Sequence, residues 1–518
     1  MHIVRSYLCD RWQEGGERRP LINPSNDERL AEAGSSGLDL GDALAHARDH
    51  GGATLRKMTF AQRGALLASI ATSLHKRRED LVALSIANGG NTRGDAKFDI
   101  DGATGTLSYY AKLGERLGHK RTLVDGAAER LAPNPRYVGY HLQVPRRGVA
   151  VHINAFNFPA WGLFEKAAVS ILAGVPVFTK PATATALVAE RAVEFLVEDG
   201  VLPKGVLSLL CGSAGDLLDH LDVQDVVAFT GSADTGARIR GHACVVERSV
   251  GLNIEADSLN AAVLGADVDS DSGAYELFLR EVARDVTQKA GQKCTATRRV
   301  LIPADRLDEV REDLTNEIDN VRVGDPSLRE VRMGPVTNRA QLADVEAGMA
   351  ALEKSGAERV HGGGRGKLVA IEGDQGCFIA PSLFVAPADN PVVHSREVFG
   401  PTATLLPYDG TADAAVDILS RGKGSLVSSV YTDDKLFAEG VVLEAAAFMG
   451  RIHVGSSRVA EHSPGPGTVM PQMVHGGPGR AGGGEELGGL RGLAFYSQRT
   501  GVQGEKTLLE KILPMEER

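Results

Sequence analysis

At 518 residues the chain exceeds the ~100–200 residues of a typical domain, so two large domains, or one domain with substantial additions, are expected. Hydrophobic residues at 43% and charged residues at 24% exclude a disordered or fibrous chain. A net charge of −10 excludes a general nucleic-acid binder, which needs clustered Lys and Arg to neutralise phosphates, and leaves room only for local binding of a cofactor phosphate.

Met1 to Arg5 lead into Asp10 and Arg11 without a secretory apolar stretch, and no later run approaches the ~20 apolar residues that span a bilayer, so neither export nor membrane insertion is expected. The five cysteines, Cys9, Cys211, Cys244, Cys294 and Cys377, are odd in number and far apart, with no CxxC pair or zinc-like spacing. A reducing cytoplasm fits, and no metal site is expected.

Residues 40–115 read as helical, with Leu66, Ile70 and Leu74 at helical spacing and Gly89-Gly90 as a break. From residue 136 the pattern alternates through Val138, Tyr140, Leu142 and Val144 until Pro145, which predicts an exposed hairpin or edge strand able to pair with another subunit. Short apolar runs at 149–153, 175–179, 206–210 and 226–229 follow, separated by helix-like segments such as the one with Val188, Ala192, Phe195 and Leu196 on one face. Strands alternating with amphipathic helices indicate a parallel sheet covered on both faces, with ligands gathering at the strand carboxyl ends. A second α/β series begins near residue 260, with a helix over 281–289, a strand over 299–302 and strands around Ala403 and Val427. The Gly/Pro-rich stretch 464–492 predicts a loop or crossover, with a flexible linker as the alternative, and Leu493 to Ser497 reads as a terminal strand.

Cys294 stands between a polar helical segment and an apolar strand, where a thiol can face a cleft; cysteine is intrinsically a strong nucleophile, although a lone one is more often a small buried apolar residue. The stretch Phe229-Thr-Gly-Ser-Ala-Asp-Thr-Gly236 joins a strand to a helix, and its glycines allow a pyrophosphate close to the backbone at the helix N-terminus.

Over nearly its whole length the chain resembles the aldehyde dehydrogenase superfamily, through Asn157-Phe-Pro159, Lys180-Pro181, Phe229-Thr-Gly-Ser232 with Gly236, Glu255, Cys294 and Glu397-Val-Phe-Gly-Pro401 in that order. It is similar in particular to the ring-opening enzymes of phenylacetate degradation (PaaZ or PaaN) and the related BoxD enzymes of benzoate degradation. The residues that carry this are the run from His152 to Trp161, Lys180-Pro-Ala-Thr-Ala-Thr185, Glu255-Ala-Asp-Ser-Leu-Asn260 and the run from Val474 to Leu490.

The resemblance implies the aldehyde dehydrogenase fold: two Rossmann-like parallel-sheet domains plus a small β oligomerisation arm. The implied division places a dinucleotide-binding domain at 1–121 and 148–258, a catalytic domain at 259–484, and oligomerisation segments at 122–147 and 485–518, with a dimer as the minimum assembly. It implies Cys294 as nucleophile, the Asn157 amide and the Cys294 backbone N–H as oxyanion donors, and Glu255 as the base that hydrolyses the thioester. Lys166, nine residues after Asn157, matches the family's relay lysine, with a solvated helix lysine as the alternative. Cofactor contacts are implied for Phe156, Lys180, Ala182, Thr183, Phe229, Thr230, Gly231, Ser232, Gly236, Glu397 and Phe399. At Thr183, where NAD-selective relatives commonly carry a Glu, a neutral side chain beside Lys180 favours NADP, with dual use including NAD open.

Two departures from the general family pattern bear on substrate: the usual Glu-Leu-Gly-Gly-Lys run is Glu255-Ala-Asp-Ser-Leu here, and the usual Pro-Phe-Gly-Gly segment is His475-Gly-Gly-Pro. Both belong to the PaaZ-like pattern and imply a semialdehyde whose other end is a coenzyme A thioester, namely 3-oxo-5,6-dehydrosuberyl-CoA semialdehyde or 3,4-dehydroadipyl-CoA semialdehyde. Arg298, Arg480 and Arg491 could meet coenzyme A phosphates, although lone arginines are more often structural or solvated. The fused relatives carry a hydratase domain after the dehydrogenase, so a separate enoyl-CoA hydratase-type enzyme is the expected pathway partner. The alternatives are oxidation of a simple aldehyde, an acylating reaction that consumes free coenzyme A, and, in a different class, an inactive structural nucleotide-binding protein.

Overall fold

The structure is a computed structural model that describes residues 1–514, so the last four residues of the expected 485–518 segment lie outside it. Five parallel strands form the heart of the first sheet, in the spatial order Gly251–Glu255, Val226–Thr230, Ala150–Ile153, Val177–Lys180 and Leu207–Leu209. Two strands from the chain's start, Ser6–Leu8 and Arg11–Gln13, extend it antiparallel. Parallel strands buried on both faces must be apolar on both, which is why these runs read as nearly continuous Val, Ala and Phe. Phe178 is fully buried there, a burial that stabilises by roughly 1.5–3 kcal/mol.

The predicted helical scaffold resolves into several helices, the longest being Phe60–Lys76, Arg78–Gly89 and Arg93–Leu117. Thr59 and Gln62 close a reciprocal cap at the start of the first of these, and Gly90, at φ +66°, ends the second in the left-handed conformation that glycine tolerates. The long third helix anchors the start of the helix Trp161–Ala173: Asp99 accepts from the backbone N–H groups of Ala160 and Trp161, and the Trp161 indole donates to Thr106 Oγ1.

A second seven-stranded sheet runs Glu358–His361, Ser382–Val385, Thr402–Tyr408, Arg299–Pro303, Ala261–Leu264, Ser425–Tyr431 and Met449–Gly455, parallel except at its first pair. Its two faces carry separate apolar clusters, one around Leu301, Phe384 and Leu406 and one around Phe278, Ile302 and Leu405.

Three expectations need correction. The helix expected over 281–289 is the second half of a longer helix, Gly273–Thr287, and it stops early because Lys289, Ala290 and Gly291 all take positive φ. Of the two readings of the alternating segment, the hairpin holds, since strand Tyr137–Pro145 pairs antiparallel with Leu123–Arg130, and the edge strand does not, since Ser497–Glu505 pairs on its other side. Leu493 to Ser497 is not the terminal strand: a 3₁₀ turn covers Gly489–Ala494, Leu493 and Tyr496 pack into the core, and the strand runs from Ser497 to Glu505. The Gly/Pro-rich stretch is mostly irregular, with one short hairpin of Val474–Gly476 against Glu485–Leu487. Among the described residues no helix is long and apolar enough to cross a membrane.

Candidate active site

The first sheet delivers its residues at strand carboxyl ends. Glu255 is the last residue of its strand, Thr230 the last of the neighbouring one, and Asn154 to Asn157 follow strand Ala150–Ile153 directly. The helix Trp161–Ala173 then brings Glu165 and Lys166 beneath the same point. Cys294 arrives from a left-handed turn ahead of the second sheet's strand Arg299–Pro303: Gly291 has φ +68°, and a Cβ there would lie 2.1 Å from Gly400 O, so only glycine fits.

Buried polar contacts lock the cysteine loop. The Asn260 amide donates to Cys294 O at 2.8 Å and to Ala296 O at 2.9 Å. Arg298 donates to Gly291 O and Gly400 O at 2.8 Å, and Lys293 pairs with Asp285 at 2.7 Å with both side chains out of solvent. Asn157 spends one amide hydrogen on Gln292 O at 3.0 Å, which fixes its side chain and leaves its second N–H for another acceptor. Asn157, Lys166, Glu255, Cys294 and His475 all line one small cavity.

Within it, Cys294 Sγ lies 3.8 Å from His475 Nε2, and the same nitrogen lies 3.2 Å from Glu255 Oε1. The second contact is close enough for an ion pair but is not aligned as a full hydrogen bond, since Glu255 Oε1 has no hydrogen-bond partner. Burial, followed by the Glu255 carboxylate, pushes the Cys294 thiol well above its ordinary value. Burial alone would raise Glu255, but the neighbouring His475 and Lys166 outweigh it and hold this carboxyl well below its usual range.

Lys166 is not a solvated helix lysine. Its ammonium is buried 3.1 Å from Glu486 Oε2 and 3.3 Å from Glu165 Oε1, and although burial works against the charge, Glu486 and Glu165 raise it overall. Burial pushes Glu165 in the opposite sense to Glu255, above its ordinary value, despite the adjacent Lys166.

A cleft of about 490 Å³ continues from this cavity and is lined by Phe156, Ala182, Phe229, Thr230, Gly231, Ser232, Glu397 and Phe399, together with Asn157, Glu255 and Cys294. Phe156 and Phe399 meet edge to face with centroids 5.8 Å apart, and Gln341 holds Phe399 through its carbonyl at 2.8 Å. Burial pushes Glu397 up to about 7, against the opposing pull of Arg298 at 3.5 Å. Ser232 caps the helix Ala233–Arg240, in which Gly236 packs so close to Ile254 that a Cβ there would lie 3.1 Å from Ile254 Cγ2, a tight contact. Lys180 and Thr183 flank Ala182 without lining the cleft: Lys180 Nζ donates to Pro181 O and Thr183 Oγ1 to Gly212 O. The cleft suits a dinucleotide. Gly231 puts backbone with no side chain into its lining, and Thr230 Oγ1 and Glu397 Oε1 are buried there without a hydrogen-bond partner.

The site residues not singled out from sequence are His475, Glu165 and Glu486. Their signals were present, in the Glu165-Lys166 pair and in the run from Val474 to Leu490, but no spacing rule links them to Cys294. Of the arginines considered for coenzyme A, Arg298 is structural, and Arg480 donates to Ser395 O and approaches Asp257 at 3.8 Å.

Residues 12–502 match the aldehyde dehydrogenase family. The chain belongs to that family. It is 45% identical over 479 residues, 92% of this chain and 93% of the relative, to 3,4-dehydroadipyl-CoA semialdehyde dehydrogenase of Aromatoleum evansii. It is 26% identical, over 83% of this chain and 84% of the relative, to aminoaldehyde dehydrogenase ALDH10A8 of Arabidopsis thaliana. Betaine aldehyde dehydrogenase of Staphylococcus aureus in complex with NAD⁺ superposes with a TM-score of 0.84 at 24% identity, covering 97% of this chain and 95% of that one. PnpE in complex with nicotinamide adenine dinucleotide gives 0.85 at 22% identity, covering 97% of each chain. The two parallel sheets and the three-stranded arm are thus the aldehyde dehydrogenase fold, and the protein is an aldehyde dehydrogenase.

Proposed function

We propose that this aldehyde dehydrogenase oxidises a coenzyme-A-linked semialdehyde to the carboxylic acid, with NADP preferred over NAD, through a thioester on Cys294. The observation that carries the substrate reading is the 45% identity, over nearly the full length of both chains, to 3,4-dehydroadipyl-CoA semialdehyde dehydrogenase. The substrate would be that semialdehyde or 3-oxo-5,6-dehydrosuberyl-CoA semialdehyde, in aerobic breakdown of an aromatic compound. The chain would work as a homodimer or larger homo-oligomer through its β arm.

The thiolate of Cys294 attacks the aldehyde carbon, and the Asn157 amide and the Cys294 backbone N–H hold the oxyanion. A bound nicotinamide dinucleotide supplies the hydride acceptor, leaving an acyl thioester on the sulfur. Glu255 takes a proton from the water that attacks this thioester, the acid leaves, and the thiolate is restored. Lys166, between Glu165 and Glu486, gives the proton on Glu255 a route away from the sulfur. A carboxylate in this position favours hydrolysis over transfer to free coenzyme A.

Glu397 and Phe399 would hold the nicotinamide end, Phe229 to Ser232 and Gly236 the pyrophosphate, and Lys180 and Thr183 the adenosine ribose. A neutral Thr183 beside a cationic Lys180 supports NADP, because a Glu there would repel a 2′-phosphate.

The test compares kcat/KM for 3,4-dehydroadipyl-CoA semialdehyde, 3-oxo-5,6-dehydrosuberyl-CoA semialdehyde and a simple aliphatic aldehyde, each with NADP and with NAD. Preference for a coenzyme-A-linked substrate with NADP is expected. Equal use of the simple aldehyde removes the substrate reading, and a requirement for free coenzyme A replaces hydrolysis with acylation.

A further inference from the structure

His475 occupies a position that the chemistry above leaves unused. It sits on the short strand Val474–Gly476, paired in register with Glu486, and it is 3% exposed. The hairpin admits it only because Gly476, at φ +143°, lies where a Cβ would be 2.0 Å from Gly484 O. One ring nitrogen, Nε2, faces both Cys294 Sγ at 3.8 Å and Glu255 Oε1 at 3.2 Å. The other, Nδ1, is buried with no hydrogen-bond partner. A side chain present only to fill space would avoid the cost of an unpaired buried nitrogen.

We propose that His475 is a further catalytic residue: a hydrogen-bond donor shared between the Cys294 sulfur and the Glu255 carboxylate, which stabilises the thiolate and anchors the base. This rests on the reading of Cys294 as the reacting thiol.

Nε2 carries one hydrogen, so it serves one acceptor fully at a time. With the thiol protonated, the ring stays within ion-pair distance of Glu255. When the thiol ionises, the S–H bond breaks and an O–H bond forms on Glu255, with no change in net charge. The neutral carboxyl then attracts Nε2–H less, and that hydrogen turns to the sulfur anion. The pocket needs such a donor, because its burial and its carboxylates both disfavour a thiolate. The charged and titratable groups facing the imidazole are Glu255 and Cys294, Glu165 and Lys166 from the helix Trp161–Ala173, Arg451 from the strand Met449–Gly455, and Glu486 across the hairpin. Burial opposes a charge on the ring, yet the Glu255 contact outweighs it and raises His475 overall.

The experiment measures the second-order rate of iodoacetamide alkylation at Cys294, read by peptide mass, against pH in the full chain and in His475→Leu and His475→Gln. Nucleotide binding is followed in each as a check of the fold. In His475→Leu the rate at neutral pH should fall at least about tenfold and the midpoint should move up by about one pH unit, since one unit is a tenfold change in thiolate. His475→Gln, which keeps an N–H donor but cannot titrate, should recover a large part of the loss. If His475→Leu fails to bind nucleotide, His475→Ala replaces it as the donor-free variant. Profiles of the donor-free variant and the parent that superimpose, or a Gln variant no faster than the donor-free one, overturn the proposal. Alkylation that misses Cys294, or that modifies it and leaves turnover intact, overturns the nucleophile reading as well and is recognised in the parent alone.

Discussion

Lys166 Nζ lies 3.1 Å from Glu486 Oε2 with both side chains nearly out of solvent, so one helix and the Gly-rich hairpin are joined by a charge contact beneath the catalytic cavity. Removing one partner of a buried pair leaves the other uncompensated. Lys166→Met is therefore expected to destabilise the protein by about 3–5 kcal/mol, measured by chemical denaturation. The sign with pH follows from the raised ammonium. Its stabilisation is fully present below the unfolded value of about 10.4 and is lost only as pH rises through the higher folded value, so the deficit of the variant should be constant across neutral pH.

Glu397 follows the same sign in a lower pH window. Its carboxyl, pushed up to about 7 from 4.5 by burial, binds a proton more tightly in the folded chain than in the unfolded one. It therefore favours folding most below pH 4.5 and loses that contribution as pH climbs towards 7. Glu397→Gln, which stays neutral, should lose less stability than the parent between these limits in a Tm-against-pH series. It should also raise KM for the dinucleotide.

Glu255→Gln should separate the two halves of the reaction. Without the base, the acyl thioester forms but hydrolyses slowly, so a burst of reduced nicotinamide close to one per active site is expected, followed by turnover lowered about 10²–10⁴-fold. Stopped-flow absorbance separates the phases: the burst should also slow at neutral pH, because Glu255 accepts the proton of the thiol, and a loss confined to the burst rate would remove Glu255 from thioester hydrolysis.

Asn157→Ala should cost about 2.7–4 kcal/mol of transition-state stabilisation, seen in kcat. The folded chain loses only the hydrogen bond to Gln292 O, about 1 kcal/mol. A thermal unfolding shift larger than the activity loss would make Asn157 a structural residue.

Thr183→Glu should lower kcat/KM for NADP and spare NAD, because the added carboxylate meets the 2′-phosphate. Steady-state kinetics with both cofactors checks it, and an equal loss for both would remove position 183 from the ribose site.

Much of this was legible in the sequence where the signal is local. The apolar runs ending near Ile153, Thr179 and Phe229 read as parallel strands because burial on both faces demands it, and the motifs that carry the family resemblance place Asn157 and the Gly231 turn just after their strands and Glu255 at the end of its own. The rest depends on distant parts of the chain. His475 reaches Cys294 across 181 positions, and Glu486 reaches Lys166 through a hairpin inside a Gly/Pro-rich stretch whose composition signals only a loop. Lys289 and Ala290 carry no mark of the positive φ that follows the helix end at Thr287, since neither residue type favours that conformation.

The most direct test of the central claim is nicotinamide reduction with a coenzyme-A-linked semialdehyde and NADP, comparing the intact chain with Cys294→Ala. Rapid reduction in the intact chain that disappears in the variant, while the variant still binds NADP, is the predicted result. Reduction that persists without the thiol would contradict the thioester route.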